Sequence, residues 1–441
     1  GDIIVGSVDN YNFQITQGFS QPRSSSATVW TGAVNSDWNN PGNWSAGIPN
    51  NTDDIVISGG GNNPVINTAG AACKNLTISS GGSITISDAS YSINVDTLKI
   101  ENGAQVTISS GDVYTNNVIH SGDLNISGGN LDIDGNYTAS GNINANITGG
   151  TIKVEGNWTS SGSGFDPTGG TVEFSGSVAQ TISLAAGNNF YDLTINNSNA
   201  TEKVSAQGSA LVVSNHLNII DGIFESASDY HDVTIASGSS LQLTGDISVS
   251  GNWTNNGTFT PGTHTVTFDG STAQSIAGAN NSFYNLTINN SSSGISLSSD
   301  VAITGTLNLT QGQIDINSIS VDFRPGSNVS NASNNSHTFD GPLVRWFNST
   351  NPFTYPCGDG TNYRPVTLTS SNSNSNNMYA SYLFANQNQS SINSSLSSIE
   401  TYGWDIQRSG GSDGFTITIP FDASYNISDF NNLTIAYYDG T

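Results

Sequence analysis

The chain has 441 residues, with 34 acidic against 9 basic side chains, a formal charge of −25, and only 34% hydrophobic and 10% charged residues. Nine cations spread from Arg23 to Arg408 form no basic patch for phosphates, which argues against a nucleic-acid partner. No run reaches the roughly 18 apolar residues of a membrane helix, and Ala, Leu, Glu and Lys are too sparse for a helical stripe, so neither membrane insertion nor a helical fold is expected.

Low hydrophobicity with net charge is also the composition of disorder. Here, however, the apolar residues gather in short alternating runs, and 7 Trp, 15 Tyr and 17 Phe supply a packed interior. Gly1 opens the chain with no charged-then-apolar leader, which reads as a mature, processed protein. Residues 1–26 hold one clear strand, in which Tyr11, Phe13 and Ile15 alternate with Asn12, Gln14 and Thr16 until Gly18-Phe19 and Gln21-Pro22 break the run. Ile3-Ile4-Val5 leads it, and Arg23-Ser24-Ser25-Ser26 follows as a linker. A lone strand must join a sheet to be stable. Its host is either an edge elsewhere in its own chain or another molecule.

Residues 27–70 differ in character. Trp30, Trp38 and Trp44 lie close together among Pro41, Pro49 and Pro64, ahead of Asp53-Asp54 and Ile55-Val56-Ile57. Large aromatics held by Pro-fixed loops suit the cap of a repeat array, whose bare end exposes strand edges and apolar columns. Stacking on sugar rings is the weaker alternative.

Residues 71–340 repeat themselves on two scales. Gly156-Asn157-Trp158-Thr159 returns as Gly251-Asn252-Trp253-Thr254, and Thr171-Val172-Glu173-Phe174 as Thr265-Val266-Thr267-Phe268. Phe190-Tyr191-Asp192-Leu193-Thr194-Ile195 returns as Phe283-Tyr284-Asn285-Leu286-Thr287-Ile288, which marks a duplicated unit of about 90–95 residues. Inside it, runs such as Leu76-Thr77-Ile78, Leu98-Lys99-Ile100, Leu124-Asn125-Ile126 and Leu131-Asp132-Ile133 alternate apolar with polar between Gly and Asn corners. Turns of about twenty residues built from short strands and sharp corners predict a right-handed parallel β-solenoid (β-helix), in preference to a string of small sandwiches.

From 341 to 441 the strands lengthen, at 363–368, 378–384, 415–419 and 433–438, with Pro342, Pro352, Pro356 and Pro365 between them. This predicts an antiparallel β-sandwich, incomplete by itself, with a polar loop near 370–377. Two cysteines, Cys73 and Cys357, are too few for a disulfide scaffold. They read as buried small hydrophobes, with a bond between them, within or between chains, as the alternative.

Several motifs resemble one family. Thr28-Val29-Trp30-Thr31-Gly32, Asp37-Trp38, Asn43-Trp44-Ser45, Ile48-Pro49 and Asp54-Ile55-Val56-Ile57 resemble the opening of large secreted surface proteins of Bacteroidota. Thr265 to Phe268 with Phe283 to Ile288 is similar to their solenoid repeat, and Phe353-Thr354-Tyr355-Pro356 with Tyr363-Arg364-Pro365-Val366 to their downstream sandwich. Gly18-Phe19-Ser20-Gln21-Pro22 resembles a segment near the start of such chains. The resemblance implies export by the type IX pathway, an extracellular or cell-surface location, and an adhesin or other surface role. Cys357 departs from it, standing where an aliphatic residue is usual, and the chain stops at Thr441 where the family's sandwiches continue.

No catalytic constellation stands out. His120, His216, His231, His264 and His337 share no metal-ligand spacing, and no zinc, P-loop or nucleophile-elbow motif occurs, so no enzyme, cofactor or metal is expected. A polysaccharide lyase or hydrolase, which would need paired carboxylates or calcium ligands on one solenoid face, is the enzyme alternative. Asp132 and Asp134 read as a solvated turn. The leading expectation is an extracellular filament subunit, a head-to-tail homopolymer. Tyr11, Phe13, Ile15 and Phe19 would add as a donor strand to the neighbour's truncated sandwich. A monomeric adhesin stalk that binds surface glycans, its strand folded back on its own sandwich, is the runner-up.

Overall fold

The structure, a computed structural model, describes residues 27–207, 211–292, 294–373, 377–385 and 402–419. The expected donor residues Tyr11, Phe13, Ile15 and Phe19 lie outside the described residues, as does the strand expected at 433–438. The described chain is all-β; its one helical element is the 3₁₀ turn Pro41–Asn43.

Residues 28 to 357 wind as a parallel β-solenoid of about 14 turns. Each turn lays a short strand on each of three faces, and strands of successive turns pair in register. On the first face Leu76, Leu98, Val118, Tyr137, Trp158 and Ile182 stack in one column. On the second, Ile84, Val106, Leu124 and Ala145 do so. On the third, Ile93, Val113, Leu131, Ile152, Val172, Leu193, Leu217, Val233 and Trp253 do so. The strict alternation seen in the sequence is the cause: every second side chain points inward and is buried, its neighbours outward. Each buried aliphatic contributes about 1.5–3 kcal/mol of transfer free energy, so a core only a few side chains wide is stabilised along its whole length.

Corners decide where the chain may turn. Gly111, Gly129, Gly150 and Gly170 occupy one corner in four successive turns, each at positive φ. A Cβ on Gly129 would sit 2.1 Å from the Gly111 carbonyl oxygen, and one on Gly150 2.5 Å from that of Gly129. Only glycine fits this stack. At another corner asparagines form a ladder. Asn117 Oδ1 accepts from the Asn136 backbone N–H (3.1 Å), Asn136 Oδ1 from that of Asn157 (2.8 Å), and Asn157 Oδ1 from that of Thr181 (2.8 Å). The abundance of Asn thus has a structural use, since each side chain supplies the partner that a broken strand ladder lacks.

The duplicated unit appears with a twist that the sequence does not disclose. Trp158 lies on the first face and Trp253 on the third; Val172 lies on the third and Val266 on the second. The unit is not a whole number of turns, so its second copy is rotated by one face. Local packing survives the rotation: Trp158 meets Phe190 at 5.3 Å and Trp253 meets Phe283 at 5.7 Å, while Phe174–Phe190 and Phe268–Phe283 are both 6.4 Å apart.

At the C-terminal end the same turn that closes the solenoid starts two antiparallel sheets. Leu343–Phe347, on the first face, pairs in parallel with Val321–Phe323 and antiparallel with Asn377–Ala385, which pairs with Tyr402–Gly410. Phe353–Tyr355, lying beside Asn328–Ser330 of the second face, pairs antiparallel with Val366–Ser370, which pairs with Phe415–Thr418. The strand expected at 363–368 starts only at Val366. Pro365 cannot donate to a ladder, and Tyr363 instead bridges Gly358 across a tight turn.

Cys73 sits in an early turn and Cys357 in the last; both are buried, free thiols. The two therefore do not pair within the chain, which corrects that alternative. Burial pushes both thiols up, Cys357 to about 12 and Cys73 further.

Candidate functional site

The two ends of the solenoid are built differently. At the start, Trp30, Trp38 and Trp44 are all buried, and Trp44 meets each of the other two rings edge-on at 4.8 Å. Trp44 Nε1 donates to the Trp38 carbonyl (2.8 Å) and Trp30 Nε1 to that of Asn62 (2.6 Å). None of the three offers a free ring face for stacking a sugar. The outer edge of Thr28–Trp30 is occupied too, since Ser45 N–H donates to the Val29 carbonyl (2.9 Å) and Thr31 N–H to that of Asn43 (2.7 Å).

At the other end the inward column Phe283, Ile303, Phe323 is continued by Arg345. This buried guanidinium donates through Nη1 to the carbonyls of Arg324 (2.8 Å) and Ser327 (2.9 Å), and lies 4.6 Å from the Phe353 ring centre. Burial pulls its pKa down, and carbonyl dipoles with an aromatic face are what it has in place of water. Beside it, Arg364 lies 3.6 Å from the Asp359 carboxylate. Burial tends to raise the Asp359 carboxyl, but hydrogen bonds from Asn362 and Thr361, with Arg364 nearby, hold it below the usual value. The Arg364 carbonyl accepts from Trp404 Nε1 (2.9 Å) and from Cys357 Sγ (3.1 Å), tying the outermost strand of one sheet to the approach of the other. Sequence reasoning counted Arg345 and Arg364 without assigning either a role. Their only signal was that basic residues, scarce elsewhere, recur here.

Tyr402–Gly410 and Phe415–Thr418 are the outermost strands, joined through 411–414, and among the described residues each pairs with a single strand. Trp404, Ile406 and Phe415 pack against the core but are only partly buried, and Ile417 is 45% exposed.

The search for chemistry elsewhere yields little. Among the described residues no three His, Cys, Asp or Glu side chains converge as metal ligands. The Asp132 carboxyl is raised by burial, with Lys153 opposing. A shallow groove of about 200 Å³ holds Asp229, His231 and Asp269, and a larger depression of about 720 Å³ near the C-terminal end is lined by uncharged groups, among them Gln311, Gln313, Asn334 and Asn335. Gln180 and Gln274, which sequence reasoning passed over, prove to be buried pins. Gln180 Nε2 donates to the carbonyls of Val154 (3.0 Å) and Gly156 (2.8 Å), and its Oε1 accepts from Asn197 (3.0 Å). Gln274 repeats this with Val249 (2.9 Å), Gly251 (2.6 Å) and Asn290 (2.8 Å). The signal was available, as Ala179-Gln180 and Ala273-Gln274 occupy equivalent places in the duplicated unit.

No curated protein and no solved structure matches the chain. Residues 29–139, from the tryptophan cluster to the end of the strand Tyr137–Ala139, are similar to a domain of unknown function (DUF8693).

Proposed function

We propose that the protein is an extracellular structural protein, the subunit of a surface filament that assembles head to tail. The segment carrying Tyr11, Phe13, Ile15 and Phe19 leaves its own subunit and adds as a β-strand to the C-terminal sheets of the next. In this reading the solenoid is a right-handed rod, the tryptophan cluster its cap, and the antiparallel sheets a sandwich short of strands. The observation that supports it is the asymmetry of the ends: the first strand's outer edge is covered, whereas among the described residues Tyr402–Gly410 and Phe415–Thr418 each pair with one strand. Main-chain hydrogen bonds give such an addition its affinity, and the alternate side chains its specificity. A contact of this kind that does not close on itself makes a fibre. The location rests on the resemblance to secreted surface proteins of Bacteroidota.

A second reading, an adhesin stalk, draws on the uncharged depression whose side-chain amides suit sugar hydroxyls. Deleting residues 1–22 separates the two. A filament subunit loses its polymers in negative-stain images and elutes as a monomer in size-exclusion chromatography. A stalk keeps its assembly state.

A further inference from the structure

One corner of the solenoid occurs twice with a single chemical difference. The strand Val212–Asp221 ends where Asp221 pairs with Asn196 past a register shift, and Gly222 follows at φ +82°. In the second copy of the duplicated unit Gln311 pairs with Asn289 past a similar shift, and Gly312 follows at φ +86°. A Cβ on either glycine would lie 2.8 Å from an asparagine carbonyl oxygen of the preceding turn, that of Asn197 or of Asn290. Backbone and packing therefore match, while the residue before the glycine is aspartate in one copy and glutamine in the other.

At the first corner the Gly222 N–H donates to the side chain just before it, Asp221 Oδ1, at 2.8 Å. The nitrogen is thereby held beside the carboxyl carbon that it can attack to close a five-membered ring, and glycine brings no side chain to obstruct the approach. Asp221 is exposed, so water reaches it. Comparable pairs engage these groups elsewhere. Gly270 N–H, after Asp269, donates to Gln274 Oε1 (3.0 Å), and Gly257 N–H, after Asn256, donates to Asn255 Oδ1 (3.1 Å). Before Gly360, Asp359 Oδ1 accepts from the Thr361 and Asn362 N–H groups.

We propose that Asp221–Gly222 is a self-modification site, at which the backbone nitrogen of Gly222 closes on the Asp221 side chain and converts the residue to isoaspartate. The nitrogen forms a bond to Cγ. One carboxyl oxygen leaves as water, taking the amide proton and one proton from solvent. Water then opens the cyclic imide at either carbonyl, which restores aspartate or leaves the chain running through the former side chain. No oxidant or reductant is needed. The isomer inserts one extra backbone carbon between Val212–Asp221 and Ile223–Ser226, whose registers are fixed by the turns on either side. Gln311 is spared, because its longer side chain would have to close a six-membered ring.

The full-length, folded protein is aged in ¹⁸O-water at neutral pH and its peptides are read by mass spectrometry, with fragmentation that separates isoaspartate from aspartate. Each ring opening leaves one ¹⁸O atom, even where aspartate is restored. The Asp221 peptide should gain label and isoaspartate at least about fivefold faster than the Asp269 peptide, whose glycine nitrogen is engaged elsewhere. In denaturant the two rates should converge. Gln311→Asp should create a second labelling site at the matching corner, and Asp221→Gln should abolish the first. Labelling at position 221 no faster than at 269 in the folded chain would overturn the proposal. So would an advantage that persists unchanged in denaturant, since local sequence rather than the corner would then be its cause.

Discussion

The two ends of this solenoid meet the same difficulty, a bare strand edge above an apolar core, and resolve it in opposite ways. At the N-terminal end, tryptophans and short loops cover the column and take up the edge hydrogen bonds. At the C-terminal end, a buried arginine takes an inward place in the column and two pairs of antiparallel strands carry the sheets outward, leaving Ile417 exposed. The body between them is indifferent to length, since each turn contacts chiefly its neighbours.

The contrast can be broken most forcefully at Trp38. Trp38→Ala empties a fully buried site touching Trp44, and should cost about 3–5 kcal/mol, read from the chemical-denaturation midpoint. A loss below about 1 kcal/mol would mean that the N-terminal end is no better sealed than the other.

Acid tests the body. His120 is buried, with Nδ1 2.6 Å from the Tyr137 hydroxyl and Nε2 3.1 Å from the Gly122 carbonyl, and burial lowers its pKa to about 4. With the folded value below the unfolded one, near 6.5, the unfolded chain binds the proton first. Stability conferred by the neutral ring is thus complete above about pH 6.5 and falls as pH drops toward 4, by up to about 3 kcal/mol. His120→Gln should flatten that part of the stability–pH curve; an unchanged slope would show that carboxylates alone produce it.

Arg345→Ala probes the anchor of the open end. It strands the Arg324 and Ser327 carbonyls and should destabilise by roughly 2–3 kcal/mol, detected as earlier proteolysis of the C-terminal sheets. The interior control is Gln180→Leu against Gln274→Leu. Each leaves two backbone carbonyls without their donor, so the losses should be alike, about 2 kcal/mol, and add in the double variant because the sites lie turns apart. The smallest effect is expected at Ile417→Ser, under about 1 kcal/mol by denaturation of the dissociated subunit, since the side chain is half in water. If the same change weakens polymerisation in sedimentation assays, the open edge is where subunits meet.

Much of the fold was legible in the chain. Leu131-Asp132-Ile133 and its relatives announce period-two strands, and glycine and asparagine between them announce corners, because these are local preferences that each turn repeats. Hidden were the features that depend on how many residues each turn takes. Trp158 and Trp253 read as equivalent, yet lie on different faces, since residues per turn vary with corner length and no local pattern sums them. Gln180 and Gln274 read as ordinary polar residues in a polar chain, and only the neighbouring turns' carbonyls make them pins. At the C-terminal end, the lengthening strands after Pro342 marked where the antiparallel sheets begin. That Arg345 stacks on Phe323 inside the column, and that Cys73 and Cys357 lie at opposite ends, required the stacking itself.

By itself, then, the sequence determined the all-β class, the inward and outward faces of each strand, the corners and the duplication, because side-chain alternation and backbone preference act within a few residues. The tertiary structure alone decided which turns stack on which, which face each copy of the duplicated unit occupies, and how far the two ends stand apart. Those quantities accumulate over the whole solenoid, one corner length at a time, and no local pattern sums them.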